Sequence, residues 1–287
     1  MNKLYATLLI CFLVFTVKAQ KVPDVQTAAL SAPPNVRVDG KATEWGETLA
    51  ADNKRTSLSY ALANDDKYLY LVIKGAGTAN VNKIMAGGIT FNVNTDGKKK
   101  EKESFSITYP LIKRATRGQG GARQGMTQGG GGQARGGFGG GGGAQNRTPL
   151  TTAQRDSISA ITHKAQLATV KEIKVSGFKN ITDSLISIYN EFGIKAVASF
   201  DSKGSFVYEL AMPLNMLDLS VDQPKEFVYQ LKVNGLVVAG FGGGGNNGGG
   251  GRGNFGGGGG GNFGGGGNTQ DLMSPTDFWG KYQLIKK

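Results

Sequence analysis

The chain has 287 residues and a formal net charge of +12 at pH 7, with 33 lysines and arginines against 21 aspartates and glutamates. Its single cysteine, Cys11, lies within the amino-terminal segment that we expect to be removed on export. The mature chain would then lack thiols, which excludes disulfide bonds, thiolate metal sites and cysteine catalysis. Most of the 47 glycines fall in two tracts that offer few side chains to a hydrophobic core.

The amino terminus has the pattern of a secretory signal peptide. Met1–Lys3 carries a positive charge, Leu4–Val17 is apolar, and Val17-Lys18-Ala19 is a small-residue cleavage site. The apolar run is shorter than the roughly 20 residues that span a bilayer. We therefore predict a signal peptide over residues 1–19 and an exported mature chain without a transmembrane span, which is periplasmic, outer-membrane-associated or secreted.

The two glycine-rich tracts, at about residues 115–148 and 240–270, are predicted to be disordered insertions. The stretch from Ser104 to Arg155 contains bases and no acids, which suits either an anionic partner or a solvated loop. Arg135–Phe138 and Arg252–Phe255 pair an arginine with an aromatic ring, as in segments that bind single-stranded nucleic acid. Export argues against a nucleic-acid partner. A self-associating or adhesive role for the tracts stays open.

Outside the tracts, apolar side chains recur at every second position, as in strands with one face in a core and the other in water. Turn residues such as Asn64-Asp65-Asp66 separate the runs. In chain order the alternation predicts strands near residues 58–62, 69–73, 89–93, 105–111, 194–200, 206–212, 227–233 and 277–284. Short strands at regular spacing predict an all-β fold, an antiparallel β-sandwich.

One helix is predicted within this all-β chain. Thr151–Gln154 has the pattern of a capping box, and Ile158, Ile161 and Ala165 form an apolar stripe that extends to about residue 168. A short helical turn is expected near residues 215–217. Each glycine-rich tract follows a strand, and a closing strand follows the second tract. We therefore predict one sandwich domain over residues 20–287, with the tracts as loops inside it.

Three motifs resemble family 9 carbohydrate-binding modules and their DOMON-like relatives, and they occur in that family's order. Val36–Trp45 is similar to the family's opening "DG…EW" segment, and Ala61–Leu71 to the hairpin with an acidic turn before a "LY" strand. Ser205–Leu214 is similar to the late "E-x-A-I-P-L" strand. The resemblance implies a jelly-roll type of β-sandwich that binds sugar ends or haem.

The resemblance also directs attention to particular residues. Sugar-binding members hold a sugar between two aromatic rings, and Trp45 is better suited to core packing, so Trp279 and Tyr282 are the candidate ligand-binding residues. The sole histidine, His163, lies in the inserted helix, where we expect it to be exposed; this disfavours haem. Three lysines follow the turn Asn94–Gly97, which disfavours calcium. No cofactor, metal site or catalytic residue is predicted.

We therefore expect a non-enzymatic, exported module that binds a polysaccharide or cell-surface glycan. Two alternatives remain open at this stage: a structural or adhesion protein that acts through the glycine-rich loops, and an accessory to a carbohydrate-processing hydrolase, which rests on the unassigned carboxylates Glu44, Asp65 and Asp66.

Overall fold

The computed structural model of the protein describes residues 22–113, 150–236 and 269–286. The predicted signal peptide and nearly all of both glycine-rich tracts lie outside these residues.

The described residues contain eleven strands that form two antiparallel sheets. In chain order the strands are β1 (Ala51–Asn53), β2 (Leu58–Asn64), β3 (Tyr68–Gly75), β4 (Ile89–Asn94), β5 (Phe105–Tyr109), β6 (Glu172–Ser176), β7 (Leu185–Ser187), β8 (Lys195–Phe200), β9 (Phe206–Pro213), β10 (Glu226–Val233) and β11 (Thr276–Gln283). Sheet A has the order β1-β2-β3-β9-β8, and sheet B the order β11-β10-β4-β5-β6-β7. The predicted antiparallel β-sandwich is therefore confirmed. Strands β1, β6 and β7 were not predicted.

In the part of the chain that the structure describes, three α-helices accompany the sheets: α1 (Thr78–Gly87), α2 (Thr152–Ala168) and α3 (Thr269–Met273). The predicted helix is α2, and its capping box forms, with the Thr151 side chain accepting from Gln154 N–H at 3.2 Å. A 3-10 helix at Leu214–Leu217 confirms the predicted helical turn. Helices α1 and α3 were not predicted.

The apolar stripe of α2 does not face the core, contrary to what its spacing suggests. Ile158 and Ile161 remain 52% and 70% exposed, and Leu167 is the buried residue of the helix. The expectation of an exposed His163 is also wrong, because its ring is half-buried and stacks on Phe200 of β8. Burial lowers the pKa of His163. The helix therefore packs through its histidine and its last turn.

The core between the sheets contains a pair of buried tyrosines, one from each sheet. Tyr60 of sheet A and Tyr229 of sheet B are fully buried, and their hydroxyl oxygens lie 2.7 Å apart in a hydrogen bond. Gly280 on β11 is directly opposite Tyr229 in the strand register. A Cβ atom at position 280 would overlap the Tyr229 ring. The absence of a side chain at Gly280 therefore makes room for the tyrosine pair.

We predict that Gly280→Ala lowers the free energy of unfolding by about 1–3 kcal/mol, because an overpacked core forces the Tyr229 ring to move. Urea unfolding measures the change. In a Tyr229→Leu background, Gly280→Ala should lower the free energy of unfolding by a smaller amount, because the shorter side chain leaves space for the methyl group. An equal cost in both backgrounds would contradict the proposed overlap.

The outer face of sheet A is covered by the amino-terminal segment, which a buried carboxylate holds in place. Glu209 is 2% exposed, and its Oε2 accepts from the N–H groups of Gly40 at 2.6 Å and Asp39 at 3.0 Å. Its Oε1 accepts from Trp45 Nε1 at 3.2 Å. Burial raises the pKa of Glu209, and these N–H donors limit the rise because they favour the charged form.

Glu209 therefore connects the first and third sequence motifs. Trp45 packs against Tyr70, with ring centroids 6.3 Å apart, so all three motifs meet on the outer face of sheet A. Asp65 of the second motif has a turn role, because its Oδ1 accepts from the N–H groups of Lys67 and Tyr68 at 2.8 and 2.7 Å. The contacts of Glu209, Trp45 and Asp65 in these motifs therefore stabilise the fold.

Glu209→Gln should destabilise the protein by about 1–3 kcal/mol, because the amide would turn an N–H group toward a buried N–H donor and leave it unsatisfied. Thermal and urea unfolding would measure the loss. Glu47→Gln is the matched control, since Glu47 is exposed in the same segment. Equal stability of the two variants would show that the Glu209 carboxylate does not hold the segment.

Candidate functional site

A groove of about 650 Å³ lies at the edge of sheet B. One wall is the amino-terminal stretch Val25–Ala29, and the other is Trp279–Gln283 of β11, the edge strand of the sheet. Lys99 and Glu226 complete the lining. We call this feature the Trp279 groove. Its volume is within the range of about 300–1,000 Å³ that is typical of small-molecule sites.

Hydrogen bonds to β2 of sheet A fix the amino-terminal wall of the Trp279 groove. The side-chain amide of the buried Gln26 exchanges two hydrogen bonds with the backbone of Leu62, at 2.7 and 2.8 Å. Gln26 N–H also donates to the Tyr60 hydroxyl at 2.9 Å. The wall is therefore attached directly to the tyrosine pair in the core.

Tyr282 supports the groove from the core side. Its side chain is 4% exposed, and its hydroxyl donates to the Leu30 carbonyl oxygen at 3.0 Å and accepts from Leu30 N–H at 3.3 Å. Burial raises the pKa of Tyr282 to about 12. The hydroxyl is thus bonded to Leu30, the residue that follows the amino-terminal wall, and Tyr282 is one of the residues that line the groove.

Trp279 lines the groove from the other side of β11. Residues 278, 280 and 282 are buried, whereas Trp279 is partly exposed, as strand alternation requires. Trp279 and Tyr282 therefore leave the strand on opposite faces. Both line the Trp279 groove, but they do not form one flat platform.

A buried amide on β10 lies directly opposite Trp279. Gln230 is 1% exposed, and its Nε2 donates to Asp277 Oδ2 at 2.8 Å and to Glu101 Oε1 at 2.9 Å. Its Oε1 accepts from Asn92 Nδ2 at 2.6 Å. Because both amide protons and the amide oxygen are bonded, the residue beside Trp279 has a fixed orientation.

This network also fixes the loop between β4 and β5. Glu101 in that loop accepts two hydrogen bonds from Lys232 Nζ, at 2.9 and 3.0 Å, in addition to the one from Gln230. The hydrogen bond from Gln230 and the charge of Lys232 lower the pKa of Glu101. The loop Thr95–Ser104 is thereby held over the outer face of sheet B, and Lys99 reaches the groove.

Both predicted site residues, Trp279 and Tyr282, line the Trp279 groove. Sequence reasoning did not find Lys99, Glu226 or the Val25–Ala29 wall, which come from other parts of the chain. Within the described residues, no three His, Cys, Asp or Glu side chains are grouped so that they could hold a metal ion.

Comparisons with protein-family models, with curated proteins and with solved structures found no match. Among the described residues, none of the helices has the length and apolar character needed to span a membrane.

Replacement of Glu101 should reveal how firmly the β4–β5 loop is held. The pKa of this acid is lowered in the folded state, so its stabilising effect is present above its ordinary value of 4.5 and is lost as the pH falls through the folded-state pKa. We predict that Glu101→Gln lowers stability at pH 7 by less than about 1 kcal/mol, because the ion pair with Lys232 is partly exposed to solvent.

Urea unfolding of the wild type and of Glu101→Gln across pH 3–8 would check this. The difference between their free energies of unfolding should be constant above about pH 5 and shrink below pH 4.5. Glu191→Gln, at an exposed acid elsewhere, should follow the wild-type profile. Parallel profiles for Glu101→Gln and the wild type would rule out the anchoring role.

Proposed function

We propose that the protein is an exported, non-enzymatic module that binds a polysaccharide or cell-surface glycan in the Trp279 groove. The observation that carries the proposal is a partly exposed tryptophan lining a groove of about 650 Å³ that polar side chains also line. The resemblance to family 9 carbohydrate-binding modules and the predicted signal peptide agree with it.

The chemistry of a sugar matches the lining of the groove. A pyranose ring has an apolar face of C–H groups, which packs on a flat aromatic side chain, and a rim of hydroxyls, which need hydrogen-bond partners. The ring of Trp279 offers the first surface. The exposed side chains of Thr27, Gln283 and Lys99 offer donors and acceptors around it.

The groove has too few carboxylates among its described lining residues for glycoside hydrolysis, which favours a binding role. Glycoside hydrolysis uses two carboxyl groups that flank the scissile bond at defined separations. In the part of the chain that the structure describes, Glu226 is the one carboxylate that lines the Trp279 groove, and Lys281 Nζ lies 2.7 Å from its Oε1. A carboxylate paired in this way is poorly suited to act as a general acid.

The adhesion alternative depends on the glycine-rich tracts, which lie outside the described residues, so it stays a prediction. The glycan proposal involves residues that the structure describes, and it can be tested with single substitutions.

We expect a glycan array to identify a ligand for the mature protein, and Trp279→Ala to weaken its binding about tenfold or more, because truncating an aromatic anchor typically costs over 1 kcal/mol. Isothermal titration calorimetry measures the affinity. Circular dichroism would confirm that the variant is folded.

Tyr189→Ala is the matched control, because Tyr189 is an aromatic side chain that is 80% exposed and does not line the groove. Its affinity should equal that of the wild type. The proposal fails if no glycan binds, or if the Trp279 and Tyr189 variants bind equally well.

A further inference from the structure

We infer that the Trp279 groove selects a sugar with an anionic substituent, a carboxylate or a sulfate, and that Lys99 is the residue that recognises the charge. The inference rests on the proposed glycan binding and adds the class of sugar to it. It depends on charge pairing in the β4–β5 loop and on the charges that line the groove.

Three consecutive lysines in this loop differ in their partners. Lys98 Nζ lies 4.0 Å from carboxylate oxygens of both Asp96 and Glu103, and Lys100 Nζ lies 2.8 Å from Glu103 Oε1. Within residues 22–113, 150–236 and 269–286, no carboxylate forms an ion pair with Lys99. Of the three, Lys99 is also the one that lines the Trp279 groove.

The backbone on both sides of Lys99 is fixed. Lys98 N–H donates to Asn94 Oδ1 at 2.9 Å, and the Lys100 carbonyl oxygen accepts from the Ser104 hydroxyl at 2.6 Å. Glu101 anchors the next position to sheet B. The side chain of Lys99 therefore starts from a defined point at the rim of the groove, which reduces the entropy lost when its ammonium group binds an anion.

The remaining charges of the groove cancel each other. Its charged lining residues are Lys99, Lys281 and Glu226, and the last two form an ion pair at 2.7 Å. The groove thus has one uncompensated positive charge. A neutral sugar would leave this charge unused, whereas a uronic acid or a sulfated sugar would neutralise it beside the Trp279 ring.

The effect is expected to be modest and sensitive to salt. Lys99 is exposed, and exposed ion pairs contribute little because water and salt screen them. We expect an acidic sugar to bind about two- to fivefold more tightly than its neutral counterpart at low ionic strength. The preference should vanish in 1 M NaCl, where the Debye length is about 3 Å.

The test compares oligomers of galacturonate, glucuronate and mannuronate with their methyl esters, which have the same ring but no charge. Sulfated galactose oligomers form a third arm, and tighter binding in that arm would identify sulfate as the preferred anion. Calorimetry on the full mature chain gives the ratio of affinities for each acid and its ester. We expect Lys99→Met to reduce that ratio to one, and Lys99→Glu to invert it.

Lys102→Met is the matched control, because Lys102 is exposed in the same loop but does not line the groove. It should keep the wild-type preference. The inference is overturned if the wild type binds acid and ester equally, or if Lys99→Met and Lys102→Met have the same preference. Equal binding of acid and ester would leave glycan binding itself intact, whereas no binding of any glycan would remove both proposals.

Discussion

The hydrogen bond between the hydroxyls of Tyr60 and Tyr229 is the interaction on which the candidate site depends. It joins β2 of one sheet to β10 of the other, and the Tyr60 hydroxyl also accepts from Gln26 N–H at 2.9 Å, which attaches the wall of the Trp279 groove. Gly280 permits this arrangement because it leaves space for the Tyr229 ring. Burial raises the pKa of both tyrosines, so neither hydroxyl ionises near neutral pH. A polar contact in the core thus determines the shape of a surface groove.

On the outer face of each sheet, a buried polar side chain holds a neighbouring segment in place. On sheet A, the buried Glu209 collects N–H donors from the amino-terminal segment; on sheet B, the buried Gln230 bonds to Glu101 of the β4–β5 loop. A buried polar group without partners is costly, so each of these residues specifies the position of the segment that satisfies it. The loop that Gln230 holds in this way brings Lys99 to the groove.

The alternation of apolar and polar residues in the sequence predicted the longer strands of the fold. Long strands such as β2 and β10 carry enough period-two positions to be recognised, whereas β1 and β7 have three residues each and provide too few. The stripe of α2 was misleading because the helix packs through His163, a residue that hydropathy does not mark as apolar. Trp279 could be predicted as a candidate from its type and strand. The Val25–Ala29 wall could not, because its neighbour Leu30 meets Tyr282 across 252 positions of the sequence, and no local pattern records that contact.

That contact between distant parts of the sequence has a consequence for how the protein is made. During synthesis the amino-terminal wall leaves the ribosome long before the strand that completes the groove. Contacts of such long sequence separation form late, because the chain must close a large loop before they are gained. A chain that lacks β11 lacks one wall of the groove. Under the proposed function, ligand binding would therefore distinguish chains that have formed this contact from those that have not.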